Sequence, residues 1–488
     1  MTTPSPRASG ALLIALILGL LGDLLLRAGP WSVNLALWLV VALALPPLLC
    51  AREGAPLPGG RRYWLISTGC LLAVLMMALR ASPAVWSFNV IALFTGLAIL
   101  LFQAGGGDLA TVTPEQTVAA GVRAVLTTGF GAVGLLLGDV DWTAGASGGR
   151  RVLLGLLLAL PIVLVLGALL ASADPAFAAV IGVFDLSAAV THLLVFGWFA
   201  WITAGYLRGL LIRPVVPAAG IPEPPRLGSL EVRTVLSAVL VLFLLFVAVQ
   251  VRALFGGAAF VTAVSGLTYA EYARRGFFQL VAVGALTLAL VLAVDWIRRG
   301  AAAERGLAWG ILGLLGLILA SAVHRMALYV SFYGLSATRL YATMAIAWIA
   351  VVAAWLGVTV LRGQRGRFVA GALVTAAVWL AAVDLVNPEA VVVRVNVARA
   401  VAGVRFDPGY LADLSADAVP ALLASLPTLS SSDRCTVLAG LTARRWGPAA
   451  GADWRTWKLA EARAQRLVAG LTPGTCPTAS SVSPTPAD

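Results

Sequence analysis

Tyr269, Glu271, Tyr272, Arg274, Arg275 and Gln279 crowd into one polar segment, Gly266 to Leu280, set between two long apolar runs. Charged residues make up only 11% of the 488 positions. Charge near a bilayer is costly, so a concentrated run of it needs a physical reason. The residue types offer two kinds of chemistry. Paired arginines hold carboxylate or phosphate through bidentate hydrogen bonds. A glutamate beside them can take or give a proton. A local reading competes with both. Thr268-x-x-Glu271 fits a capping box, and Glu271 precedes Arg275 by four residues, the favourable order for a helical ion pair. Tyr269 and Tyr272 also suit an interfacial aromatic belt.

A second segment, Tyr333 to Ala342, repeats the outline: Gly-Leu-Ser, then Arg339, then Tyr341 and a new apolar run. Arg339 stands where the first copy has Glu271. Each copy opens the second helix of a hairpin, the pattern of a parallel repeat. Span counting places Asp174, His324 and Arg325 on the same membrane face as both copies, with His192 about 9 Å into its span from that edge. Ordinary roles exist for these too. His324-Arg325 reads as a snorkelling interfacial pair and His192 as a helix–helix hydrogen-bonding residue.

Several chemistries are excluded by what is missing. Two distant histidines and scattered aspartates match no metal-ligand spacing. No Gly-x-Ser-x-Gly elbow, phosphate loop or paired-carboxylate motif occurs. No metal, cofactor or catalytic residue is therefore expected. Asp23/Arg27 and Asp295/Arg298/Arg299 read as locally paired span-end groups, and Gln250 and Gln279 are the main polar residues within the spans around the motif. This scarcity of deep ionisable groups counts against a proton-coupled carrier.

The elements that must position these residues are membrane spans. Apolar residues form 60% of the chain and the mean hydropathy is +0.95. Candidate spans fall at 10–27, 31–50, 64–80, 84–103, 151–172, 186–207, 231–251, 275–297, 306–324, 340–361 and 367–386. Each is long enough for a hydrocarbon core of about 30 Å. The fold class is all-α: a polytopic transmembrane bundle of about eleven spans. The first run follows Arg7, exceeds a usual signal-peptide h-region and lacks a clear cleavage site, so it reads as a retained helix. The net charge of +12 is almost wholly arginine, with Lys458 the only lysine. Because the arginines sit at the ends of apolar runs, the expected partner is the lipid bilayer and not nucleic acid.

Arginine placement also sets the topology. Arg52/Arg61/Arg62, Arg208/Arg213/Arg226/Arg233, Arg298/Arg299/Arg305 and Arg362/Arg365/Arg367 mark four loops as cytoplasmic. An even number of spans then separates the first two, which makes the weak segment 117–138 non-spanning. The N-terminus lies inside and the C-terminus outside, in a multi-pass protein of the cytoplasmic membrane. Residues 1–150 carry the N-terminal helices and 151–387 the core spans with the polar motifs.

After Asn387-Pro388 the composition changes. Asp407-Pro408, Ser415-x-Asp417, Ser431/Ser432-Asp433 and Asp453-Trp454 are helix-start signals. Leu411, Leu414, Val419, Leu422 and Leu423 recur at helical spacing. Residues 388–470 read as a small helical domain on the membrane face, and 471–488 as a disordered tail. Cys50 and Cys70 lie in or beside spans and suit packing. Cys435 and Cys476 share the C-terminal region, where an extracytoplasmic location permits a disulfide that the sequence leaves open.

Leu170 to Phe177, Leu254-Phe255-Gly256-Gly257 and the Gly266–Leu280 segment together resemble a bacterial multi-spanning family, domain of unknown function 4173, related to family 4153. The resemblance continues through His324-Arg325-Met326, Tyr333-Gly334-Leu335, Asn396-Val397-Ala398-Arg399, Tyr410-Leu411 and Asp417 to Pro420. It covers roughly residues 150–465 and implies fold and location, with no activity or cofactor attached.

The leading functional expectation is binding or transport of a small anionic or lipid-like ligand at a polar cluster on the extracytoplasmic face. Its candidate residues are Asp174, Tyr269, Glu271, Tyr272, Arg274, Arg275, His324, Arg325 and Arg339. A scaffold or sensor whose C-terminal domain binds a protein partner ranks next. A membrane-embedded enzyme using Glu271 and His324 ranks last, for want of a nucleophile–base motif.

Overall fold

The computed structural model describes residues 7–27, 29–142, scattered positions between 159 and 174, 186–212, 227–265, 277–298, 302–404, 407–447 and 453–471. Every regular element among them is helical. Among the described residues eleven helices are long and apolar enough to cross a membrane, and a group of shorter helices follows them. The chain is thus an all-α polytopic bundle with a C-terminal helical part.

The first six helices share one apolar core. They are α1 (Ala8–Leu26), α2 (Val33–Arg52), α3 (Arg61–Leu79), α4 (Pro83–Ala104), α5 (Pro114–Gly134) and α6 (Leu186–Leu207). Rings with polar tips pin antiparallel neighbours: Trp38 Nε1 donates to the Leu18 carbonyl at 2.8 Å and the Tyr63 hydroxyl to that of Leu43 at 2.7 Å. Helix α6 runs against α1. Arg7 meets the Leu211 carbonyl at one end, and Asp23 meets His192 towards the other.

A second core joins α7 (Ser229–Ser265), α8 (Phe277–Arg298), α9 (Ala302–Tyr333), α10 (Ala337–Thr359) and α11 (Gly366–Val386). Large apolar side chains such as Leu65, Leu137, Val241 and Leu286 stay exposed on the flanks of the bundle. In water that would be a liability; against acyl chains it costs little.

The third core belongs to α12 (Pro388–Val401), α13 (Pro408–Ala412), α14 (Val419–Ser425), α15 (Ser431–Ala443) and α16 (Leu459–Ala469). Asn387 makes the turn into it with φ 52°, the left-handed conformation that asparagine tolerates. Its Oδ1 accepts from the Ala390 amide, capping α12. Asp407 caps α13, as the sequence signals, and Ser430 caps α15, one residue before the signalled Ser431/Ser432.

These helices define two polar faces. Arg7, Arg52, Arg62, Arg208, Arg298 and Arg365 mark the arginine face. The cap face carries α12–α16, which contact the second ends of α1, α3 and α11.

Helix α5 departs from the up-and-down pattern. By length and composition Pro114–Asp139 can cross a membrane, whereas the sequence reading made 117–138 non-spanning. The total of eleven is therefore reached with a different membership, since most of 151–172 lies outside the described residues. The contacts of α5 run across α6, not along it. Thr127 packs on Gly209, Gly131 on Gly205, and Gly134 on the Arg208 side chain. Asp139, in the π-helical turn that ends α5, accepts from Arg208 at 2.5 Å. From Thr127 to Asp139 is about 18 Å of helix, yet both ends meet positions 208 and 209 of the neighbour. That is a steep crossing close to the arginine face. It needs glycine at 205, because a Cβ there would collide with the Thr128 carbonyl.

Candidate functional site

Most of the Gly266–Leu280 motif, residues 266–276, lies outside the described residues, and with it Tyr269, Glu271, Tyr272, Arg274 and Arg275. Asp174 is exposed and its amide donates to the Leu170 carbonyl. His324 is exposed on α9, while Arg325 beside it is turned inward and 8% exposed. The two neighbours therefore occupy different sides of one helix.

Arg325 belongs to a row on the i+4 ridge of α9: Ser321, Arg325, Tyr329, Tyr333. At its deep end the Ser321 hydroxyl donates to Gln250 Oε1 of α7 at 3.1 Å. Towards the cap face the Arg339 guanidinium stacks 4.1 Å above the Tyr329 ring. Tyr329 in turn meets Tyr333 edge-on at 5.1 Å. The row extends about 18 Å, from mid-helix to the end of α9.

At that end the Tyr333-Gly334-Leu335 turn is clasped by α12 and α13. Gly334 adopts φ 79°, and a Cβ on it would strike Asn396 Oδ1. Asn396 Oδ1 accepts from the Leu335 amide at 2.9 Å, and its Nδ2 donates to the Leu335 carbonyl at 2.6 Å. The Tyr410 hydroxyl accepts from the Ala337 amide at 2.9 Å. Arg339 donates to the carbonyls of Tyr333 and Gly334. Arg399 Nη1 donates to the Ser331 carbonyl at 2.8 Å. The motif residues of three separate segments thus meet at one turn.

Arg399 is the group that sequence reasoning passed over. Its Nε and Nη2 are buried and have no hydrogen-bond partner among the described residues. Together they form one edge of the guanidinium, the geometry that grips a carboxylate or phosphate side-on. Its only advance signal was membership of the Asn396–Arg399 motif.

A second polar set fastens the cap to the N-terminal helices. Asp417 Oδ2 accepts from the amides of Ala81 and Ser82, each at 2.8 Å, and Arg80 lies 3.8 Å from its Oδ1. Glu389 accepts from the Ser415 amide at 2.8 Å and hydroxyl at 2.6 Å. Burial pushes its carboxyl above the ordinary range, against the lowering pull of those hydrogen bonds. Asp453 is held low by its hydrogen bonds to Arg455. Arg455 reaches the Leu24 carbonyl, and its own carbonyl accepts from Ser32. One helix over, His192 Nδ1 lies 2.6 Å from Asp23 Oδ2, with Arg27 3.4 Å from Oδ1. His192 links two helices, and Asp23 serves it as well as Arg27. Cys435 is disulfide-bonded and Cys50 and Cys70 are free; Cys476 lies outside the described residues.

On the arginine face, Glu304 is 3% exposed. It accepts from Ser229 at 2.8 Å, with Arg233 and Arg298 at 3.5 and 3.6 Å. Asp295 pairs with Arg365 at 2.8 Å. Among the described residues no group of three metal-ligating side chains converges.

The fold and these sites define a class: a multi-pass helical membrane protein whose spans carry a tightly clasped helical cap. The model of the family "Domain of unknown function (DUF4153)" matches residues 8–425, and the chain belongs to that family. The match includes the N-terminal helices, beyond the portion over which the motifs carry the resemblance. No curated protein and no solved structure matches the chain.

Proposed function

We propose that the protein binds a small anionic molecule or an anionic lipid headgroup on the cap face, between the Gly334 turn and α12. The observation that carries this reading is the unbonded Nε/Nη2 edge of Arg399, two parallel buried donors on a half-buried side chain. Arg339 reinforces the positive potential, since both arginines lie against Gly334. The row from Tyr333 through Arg325 to Gln250 supplies a polar path inward, which favours transfer over simple retention. An ionisable residue that deep in a bundle usually serves a function. Asp174, His324 and the motif residues Tyr269, Glu271, Tyr272, Arg274 and Arg275 remain part of the proposed site.

In this reading the cap face is extracytoplasmic and both membrane-facing orientations follow: N-terminus inside, C-terminus outside, in the cytoplasmic membrane. The arginine-rich opposite face supports it, as does the disulfide at Cys435, a bond that persists in oxidising compartments. Helix α5 then lies near the inner surface without crossing, which agrees with its steep crossing of α6. The long Tyr/Glu/Arg motif supports the narrower grouping, domain of unknown function 4173.

The test is binding of glycerol phosphate and of succinate, as phosphate and carboxylate probes, to the purified protein. Arg399→Ala should weaken one of them about tenfold or more, as loss of charge-assisted hydrogen bonds does, with Arg399→Lys intermediate. Equal affinity in wild type and Arg399→Ala sinks the reading.

A further inference from the structure

The cap carries two tryptophans that none of the sites above uses. Trp454 is 59% exposed and Trp457 is 37% exposed. Trp454 opens a 3-10 turn, and the Trp457 amide closes it by donating to the Trp454 carbonyl at 3.1 Å. Residues three apart eclipse one another in such a turn, so the two rings belong to one face. Leu459, also exposed, begins α16 directly after them.

The turn is fixed at the level of the span ends. The Arg455 guanidinium reaches the carbonyl of Leu24, which lies two residues, or about 3 Å of helix, before the end of α1. Ser32, the residue before α2, donates to the Arg455 carbonyl at 3.1 Å. The Thr456 methyl stands over Gly29, where a Cβ would lie 3.3 Å from it.

The flank of α1 indicates what covers the rings. Leu13, Ile17, Leu20 and Leu24 are exposed and recur at helical spacing, one apolar stripe along the span. In a membrane span such a stripe faces acyl chains. It ends at Leu24, the residue that Arg455 holds, so the tryptophans continue it into the interfacial zone. Trp31 and Trp86, 6.4 Å apart, lie beside the same span ends, the placement of an aromatic belt. Charge supplies no rival partner. Arg455 pairs with Asp453 and Lys458 with Glu461, so residues 453–461 carry no net charge.

We infer that the Trp454–Leu459 edge of the cap is seated in the leaflet on the cap side, with the Trp454 and Trp457 rings between the headgroups and the upper acyl chains. The partner is the interfacial zone of the bilayer and no particular headgroup. This seat rests on the membrane-spanning fold alone, and it and the Arg399 site can each fail without the other.

A nitrobenzoxadiazole label attached through Trp454→Cys tests it in the full-length protein. Phosphatidylcholine nanodiscs hold the protein, since both of their faces are open to buffer. Ser432→Cys is the control, exposed at the start of α15, which packs on α13 within the cap. The unsubstituted chain, whose free Cys50 and Cys70 are buried, is the labelling blank. At position 454 the emission should be shifted to the blue of that at 432. It should be quenched by phosphatidylcholine bearing a doxyl group high on its acyl chain and spared by iodide. At 432 iodide alone should quench. Adding phosphatidylglycerol should change neither result. Where Trp454→Cys is not recovered folded, Trp457→Cys is read by the same criteria. Iodide quenching at 454 equal to that at 432 overturns the inference. Protection from both quenchers also overturns it, because protein then covers the ring. Lipid quenching that appears only with phosphatidylglycerol does so too, since the contact is then electrostatic.

Discussion

On the cap face, Arg80, Arg339, Arg399, Arg444 and Arg455 all donate to backbone carbonyls, and Asp417 accepts from two backbone amides. On the arginine face, Arg62, Arg208, Arg233, Arg298 and Arg365 meet carboxylates, and Arg7, Arg298 and Arg365 also donate to carbonyls. The difference follows from what covers the helix ends. Terminal carbonyls and amides beneath a docked domain are shut off from water and need side-chain partners. Where no domain covers the ends, charges neutralise one another and backbone groups find partners more freely. Bonds to the backbone thus dominate on the cap face, where Arg80 and Arg455 also pair with Asp417 and Asp453, and carboxylate pairs dominate on the other. The unbonded guanidinium edge of Arg399 stands out on the first, where its neighbours Arg339 and Asn396 are tied to the backbone.

Mutations should separate the two faces by size of effect. The largest is expected at Asp417, 6% exposed. Asp417→Ala strips the Ala81 and Ser82 amides of their acceptor and leaves Arg80 without its carboxylate. A loss of about 3 kcal/mol is expected in denaturation of the detergent-solubilised protein. A change below the scatter of surface substitutions would erase the contrast.

Glu304→Gln on the opposite face should cost only about 1 kcal/mol, because Arg233 and Arg298 are partly exposed and their attraction is screened. A cost equal to that of Asp417→Ala would show that the arginine face is as tightly fixed as the cap.

The smallest effect concerns pH. The Glu389 carboxyl is raised above its ordinary value near 4.5, so the folded state favours its protonated form. Its contribution is fully present below that value and is lost as pH rises through the raised one. Protection of the cap from proteolysis should decline across that window, and Glu389→Gln should flatten the decline. A slope that survives in the Gln variant belongs to another group.

The sequence made much of this legible, unevenly. Helix starts at Asp407 and, within a residue, at Ser431 could be read because a cap is a local bond between residues three apart. Ser415-x-Asp417 also precedes a helix, which begins at Val419, yet Asp417 does not cap it and reaches across to Ala81 and Ser82. Arg339, picked as a ligand residue, stacks on Tyr329 and holds the Gly334 turn; Arg399 was visible only as part of a motif. His192 was expected to bond between helices, and nothing in its neighbourhood of the chain pointed to Asp23 as the partner.

Hydropathy, arginine placement and turn chemistry thus determined by themselves that this is an all-α membrane bundle with a helical C-terminal part, because burial in lipid and helix capping act over a few residues. Which guanidinium keeps an open edge, how steeply α5 crosses α6 and which carboxylate clasps which helix end were decided only in the tertiary structure. Those outcomes depend on contacts between segments hundreds of residues apart, and no local pattern encodes them.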